Sequence, residues 1–109
     1  MAGEYPLLRQ AADRAEAGSG GWYIAQIWLG YAALYSADLA GALGHFTAVL
    51  DVAGDRPPSR ALTRALSAAL AGRASVLRLM GRTAEAAGDG RRALALAQEI
   101  RDPAGSCWP

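Results

Sequence analysis

The stretch from Trp22 to Leu50 reads WYIAQIWLGYAALYSADLAGALGHFTAVL and decides the fold. Its first part stays almost entirely apolar up to Tyr35, which is too long a run for one strand. A short break ends at Asp38, after which apolar residues resume at helical spacing. This pattern predicts an αα-hairpin, that is, two antiparallel helices joined by a turn of a few residues.

The second half of this stretch recurs 44 residues further along the chain. The matching pairs are Ala40 and Ala84, Ala42 and Ala86, Gly44 and Gly88, and Leu50 and Leu94. Small residues that recur at fixed positions indicate that packed helices approach each other closely at each recurrence. A repeat of this length is typical of an α-solenoid, in which successive helical hairpins stack on one another.

We therefore predict an all-α protein with about five helices and no strand. The predicted helices cover 5–17, 22–36, 39–53, 59–80 and 84–100. We interpret 1–109 as a single helical-repeat domain cut from a longer array. Its predicted parts are the last helix of a preceding unit (4–17), a first unit (22–53), a second unit (59–100) and the truncated start of a further unit (103–109). Helix crossings are expected at Gly30, Ala42, Ala74 and Ala86.

Leu29-Gly30, followed by Ala42, Phe46 and Val49, has the spacing of a tetratricopeptide repeat. The segments YSADLAGALGHFTAVLDVAGD and GRTAEAAGDGRRALALAQEIRDPAG resemble the repeats of large bacterial transcriptional regulators of the LuxR/MalT type. In these regulators an ATPase core carries a helical-repeat sensor region. The resemblance implies a right-handed α-solenoid and a non-catalytic protein–protein interaction or sensor module in transcription regulation.

The resemblance also implies a concave groove that binds a protein or peptide partner. Its residues would be Ile24, Ile27, Tyr31, Leu34, Tyr35, Ser75 and Arg78. On an ideal helix, the groove residues between positions 24 and 35 form one apolar stripe. Either neighbouring repeats bury this stripe or a partner does. If it is uncovered, a second copy of the chain is the alternative partner, and the protein is then a stand-alone adaptor that homodimerises.

A basic stripe follows the long predicted helix 59–80. Its residues are Arg60, Arg64, Arg78 and Arg82. Four guanidinium groups on one line suit an acidic peptide, a phosphate or DNA, whereas the other interpretation is a solvated helix face. The net charge of +1 disfavours a nucleic-acid partner, which is therefore the third functional hypothesis.

The sequence favours no catalytic, cofactor or metal site. Gly88–Ala93 formally matches a dinucleotide-binding fingerprint, but it lies in a predicted helix that no strand precedes. His45 is the only histidine, and because it corresponds to Asp89 in the second unit we predict that it is exposed. Arg73 falls among leucines, so its charge should be paired or should extend to solvent. We accordingly predict a protein that is not an enzyme.

Composition points to the cytoplasm. The single cysteine, Cys107, suits a reducing compartment, and the first residues do not resemble a signal peptide. The uncharged run from Trp22 to Ala37 has 16 residues, fewer than the ~20 that a membrane-spanning helix needs. We therefore expect no membrane partner.

Overall fold

The computed structural model of this protein describes residues 6–57 and 59–101. Within these ranges the chain forms five α-helices and no strand, which confirms the all-α prediction. The helices are α1 (Pro6–Arg14), α2 (Gly20–Tyr35), α3 (Leu39–Ala53), α4 (Arg60–Leu79) and α5 (Thr83–Arg101). The segment 103–109, which includes Cys107, lies outside the described residues.

Side-chain caps determine where three of the helices begin. The Ser19 hydroxyl accepts a hydrogen bond from the backbone N–H of Trp22 at 3.2 Å, so α2 begins at Gly20 rather than at the predicted residue 22. Asp38 accepts from the N–H of Gly41 at 3.0 Å, and α3 has the predicted bounds. Ser59 caps α4 in the same way. Each cap satisfies an amide that has no partner within the helix.

The first helix is shorter than predicted. It ends at Arg14, whereas the sequence indicates a helix up to residue 17. The chain then turns through Gly18, whose φ of +88° lies in the left-handed region that glycine adopts without strain. This turn directs α2 back along α1, and the two helices pack through Ala12 of α1 and Ala25 and Leu29 of α2.

The main core lies where α2, α3 and α4 meet around the ring of Phe46. Phe46 is fully buried on α3, and its ring lies against Gly30 of α2 and Gly72 of α4. A Cβ built on Gly30 would lie only 2.7 Å from the ring, and one on Gly72 would lie closer still. Gly30 thus lies at a helix crossing as predicted, and Ala42 is fully buried. Gly72 was not among the predicted crossing residues.

The helices pack on their neighbours in the chain, and α2 also packs on α4. Since α2 and α4 are both joined to α3 by short connections and both lie against Phe46, they run in the same direction. The first halves of both helices contribute residues to the core and also line a cavity.

Candidate functional site: a groove between the second and fourth helices

A cavity of about 490 Å³ opens between the first halves of α2 and α4. This volume lies within the ~300–1,000 Å³ range of small-ligand pockets. Its hydrocarbon wall is made of Tyr23, Ile24, Ile27, Pro57, Ala61, Leu62, Ala65 and Ala68. Its remaining lining comes from Gly18, Gly20, Arg56, Ser59 and Arg64. The wall is therefore apolar, and the only charged lining residues in the described part of the chain are two arginines.

The turn between α1 and α2 holds one of these arginines in place. The guanidinium of Arg56 donates a hydrogen bond to the backbone carbonyl oxygen of Ala17 at 2.9 Å. The same guanidinium lies so close to Gly18 that a Cβ there would collide with it. A guanidinium has five N–H donors, and with the described residues Arg56 makes this one hydrogen bond, so further donors can meet a ligand.

The second arginine, Arg64, is exposed on the second turn of α4. It makes no ion pair or hydrogen bond with any residue that the structure describes. Among the described residues, no Asp or Glu lines the cavity. Two positive charges consequently border an apolar wall without a neutralising carboxylate in it.

A shallower depression of about 200 Å³ continues the apolar surface along α2. Ile24 and Ile27 line both spaces, and Trp28 and Tyr31 complete the second one. Ile24 and Trp28 are each 59% exposed, which is unusual for side chains of this size. Tyr31 packs edge-on against Phe46, with the ring centroids 5.2 Å apart, and burial, with a smaller effect of Tyr35, raises the pKa of its hydroxyl.

The structure divides the residues predicted for the groove into three groups. Ile24, Ile27 and Tyr31 line the two adjoining spaces. Leu34 packs against the core, and Tyr35 is 84% exposed at the end of α2. Ser75 and Arg78 line neither space, because they lie on the second half of α4, away from the cavity.

The opposite wall of the groove is instead made by the first half of α4. The residues of α4 that line it include Ala61, Leu62 and Ala65, whereas the predicted residues are Ser75 and Arg78. Arg78 borders a different depression of about 320 Å³, between α4 and α5, together with Ala74 and Ala86. Ser75 donates its hydroxyl proton to the backbone oxygen of Ala71 within its own helix.

The predicted basic stripe does not form one line. Arg60, Arg64 and Arg78 lie exposed on α4, but Arg82 comes after that helix has ended at Leu79. The intervening Gly81 has a φ of +82°, so the chain changes direction before Arg82. Arg82 pairs with Glu85 at 2.7 Å, and this hydrogen bond raises the pKa of Arg82 and lowers that of Glu85. Placing all four arginines on one helix was therefore wrong.

Polar pairs join the two helices of each hairpin. His45 of α3 is half-buried, not exposed as predicted, and its Nδ1 lies 2.7 Å from Oε1 of Gln26 on α2. Since that oxygen can only accept, Nδ1 is the donor. Arg73 of α4 pairs with Asp89 of α5 through bonds of 2.7 and 3.1 Å, which confirms that its charge is paired.

The described residues contain no cluster of three or more His, Cys, Asp or Glu that could hold a metal ion. None of the described helices is both long enough and apolar enough to cross a membrane. Gly88–Ala93 lies within α5, so in the described structure this fingerprint does not follow a strand. Comparisons with protein-family models, with curated proteins and with solved structures find no match.

Proposed function

We propose that this chain is a non-catalytic protein-interaction or sensor module that binds a peptide segment of a partner in the groove between α2 and α4. The observation that carries the proposal is the cavity of about 490 Å³, which adjoins a second apolar depression on α2. Its lining side chains carry hydrocarbon, hydroxyl and guanidinium groups, which bind ligands but do not exchange protons near neutral pH.

The dimensions of the groove favour a peptide. From Gly20 to Tyr31, α2 rises by about 17 Å, a length that about five residues of an extended chain cover. Ile24 and Ile27 border both spaces along this path, so consecutive side chains of a bound segment would each meet apolar surface. The burial of such surface contributes roughly 25 cal/mol per Å².

We propose that the module belongs to a right-handed tetratricopeptide-like solenoid in a cytoplasmic transcription regulator of the LuxR/MalT type. This setting is supported by the 44-residue echo between the hairpins and by the parallel packing of α2 on α4, since stacked repeats bring equivalent helices side by side. The complete gene sequence tests this setting. A nucleotide-binding motif and a helix-turn-helix in the same reading frame would support it, and their absence from the full gene would refute it.

Peptide binding is tested by selecting displayed random peptides of about ten residues on the wild-type chain and on Ala61→Trp. Ala61 is exposed and lines the cavity, so a tryptophan there fills the groove without disturbing the core. Ala71→Trp is the matched control, because Ala71 is exposed on the same helix but lies outside the cavity. We expect peptides that bind the wild type and Ala71→Trp but not Ala61→Trp. Equal binding to all three proteins would refute the proposed groove.

A homodimer is the second candidate, and the exposure of Ile24, Trp28 and Tyr35 favours it. These three side chains lie on one face of α2, at positions separated by four and seven residues. A second copy that covered them would remove a contiguous apolar surface from water. Because Ile24 also borders the groove, a dimer of this kind would compete with a bound peptide.

A further inference from the structure

We infer that the partner segment in the α2–α4 groove is acidic, with apolar side chains in the cavity and one or two carboxylates on Arg56 and Arg64. This inference rests on the proposed function of the groove and specifies the chemistry of its ligand. The apolar wall indicates an apolar ligand, and the charges of Arg56 and Arg64 at its edge indicate that this ligand also carries carboxylates.

The two arginines border the cavity and are not neutralised there. Arg64 has no ion pair within the described structure, and no carboxylate lines the cavity. A bound apolar segment would displace water around both guanidinium groups, which makes an unpaired charge more costly. A carboxylate on the ligand removes this cost and forms charge-assisted hydrogen bonds, which are about twice as strong as neutral ones.

Arg56 is exposed, but two contacts orient it before any ligand arrives. Its hydrogen bond to the oxygen of Ala17 and its packing over Gly18 restrict the side chain. A restrained side chain loses less conformational entropy when it binds, so its contact contributes more to affinity. The tight turn through Gly18, with its φ of +88°, is what brings the α1–α2 connection within reach of Arg56.

An acidic peptide fits the groove better than a small carboxylic acid does. The apolar surface continues from the cavity into the depression beside Trp28 and Tyr31. A single short hydrocarbon chain would leave part of that surface uncovered, whereas successive side chains of a peptide reach both spaces.

The experiment selects random peptides on three proteins, namely the wild type, Arg64→Glu and Arg91→Glu. The peptide sequences enriched on each protein are then compared. Arg91 is an exposed arginine on α5 outside the cavity, so its substitution changes the net charge equally but leaves the rim intact. Substitution of either exposed arginine should leave the fold unchanged, which circular dichroism verifies.

We expect the wild type and Arg91→Glu to enrich peptides that combine aliphatic residues with Asp or Glu. Arg64→Glu should enrich Lys or Arg in their place. A peptide selected on the wild type should lose affinity about fivefold when its acidic residues become Gln, and raised salt should weaken it further. Tighter binding of octanoate than of that peptide to the wild type would show that a small carboxylic acid is the better occupant, which would overturn the inference.

The outcomes separate this inference from the function beneath it. If no peptide distinguishes the wild type from Ala61→Trp, the groove does not bind peptides and both proposals fail. If groove-dependent peptides emerge without any preference for Asp or Glu, the peptide-binding function stands and the acidic partner is refuted. The same refutation follows if Arg91→Glu changes the preference as much as Arg64→Glu does.

Discussion

The ring of Phe46 fills the space between α2 and α4, and glycines on both helices make room for it. Gly72 is the only glycine within α4, where glycine costs about 1 kcal/mol relative to alanine. A glycine inside an otherwise strongly helical segment therefore needs a packing reason. The fully buried ring of Phe46 against Gly72 supplies that reason.

Gly72→Ala should destabilise the protein by about 1–3 kcal/mol, because the added methyl group overpacks a site whose ring has no space to move. Gly44→Ala is the control, since Gly44 is exposed on α3 and a Cβ there meets nothing within 4 Å. It should stabilise the protein by about 0.5–1 kcal/mol through the unfolded chain and helix propensity. Urea denaturation measures both. Stabilisation by both substitutions would refute the role of Gly72.

Tyr23→Phe should leave stability unchanged or raise it by up to about 1 kcal/mol. The Tyr23 side chain is 7% exposed, and its hydroxyl finds no hydrogen-bond partner among the described residues. Removing that hydroxyl takes away a desolvated polar group but no bond. Thermal denaturation measures the stability of Tyr23→Phe, and Tyr35→Phe is the control because Tyr35 is 84% exposed. A clear loss of stability in Tyr23→Phe alone would mean that the hydroxyl has a partner.

At the scale of single elements, the hairpin of α2 and α3 carries a pH-sensitive contact. Burial lowers the pKa of His45 below its ordinary 6.5, the charge of Arg9 lowers it further, and Asp38 opposes the change. The unfolded chain thus binds a proton more readily than the folded one. The neutral His45 therefore contributes stability that is fully present above pH 6.5 and is lost as the pH falls through the folded-state pKa.

His45→Gln should abolish this pH dependence, because glutamine does not titrate. We expect the difference in unfolding free energy between wild type and His45→Gln to decline as the pH falls below 6.5. Denaturant titrations of both proteins at several pH values provide the difference, which cancels the common contribution of carboxylates such as Glu85. A difference that is constant from neutral to mildly acidic pH, or that grows on acidification, contradicts the account.

Element boundaries were predictable where side-chain caps and glycines agree. Asp38 and Gly54 bound α3, whose predicted span is the observed one. The predicted start of α2 was two residues late, because Ser19 caps the helix in front of Gly20 and Gly21, a residue type that disfavours helices. Helical periodicity identifies an apolar face but does not show which atoms will cap its first turn.

The groove was predictable only on one side. Periodicity along α2 identified Ile24, Ile27 and Tyr31, since a single helix determines which residues share its face. The opposite wall depends on the register between α2 and α4, which tertiary packing of Gly30 and Gly72 on one ring determines. The groove predicted from the resemblance therefore included Ser75 and Arg78, whereas the first half of α4 lines the observed cavity.

Two further features depended on tertiary structure. Arg56, which lines the cavity, lies in the connection between α3 and α4, where helical periodicity predicts nothing about side-chain positions. The burial of His45 follows from its contact with Gln26, which the comparison with Asp89 did not reveal. By contrast, charge alone predicted that Arg73 is either paired or extends to solvent, because an unpaired charge among leucines is costly, and the structure shows the pair with Asp89.

At the scale of the whole molecule, the oligomeric state shows whether a second copy of the chain covers the exposed apolar face of α2. If a second copy covers Ile24, Trp28 and Tyr35, sedimentation should detect a dimer at micromolar concentration. Trp28→Glu/Tyr35→Glu should then give a folded, helical monomer, because both side chains are exposed. Tyr31 is unsuitable for this test, since it packs against Phe46. A wild type that remains monomeric at high concentration excludes the homodimer and leaves the face free for a partner.

The most direct measurement of the central claim is a chemical-shift map of the ¹⁵N- and methyl-labelled chain as a selected peptide is added. We expect the largest changes at Ile24, Ile27 and Leu62, which line one cavity from two helices. Residues of α5 serve as the internal reference and should change least. Changes centred on α5, or on the depression beside Arg78, would contradict the assignment of the groove as the binding site.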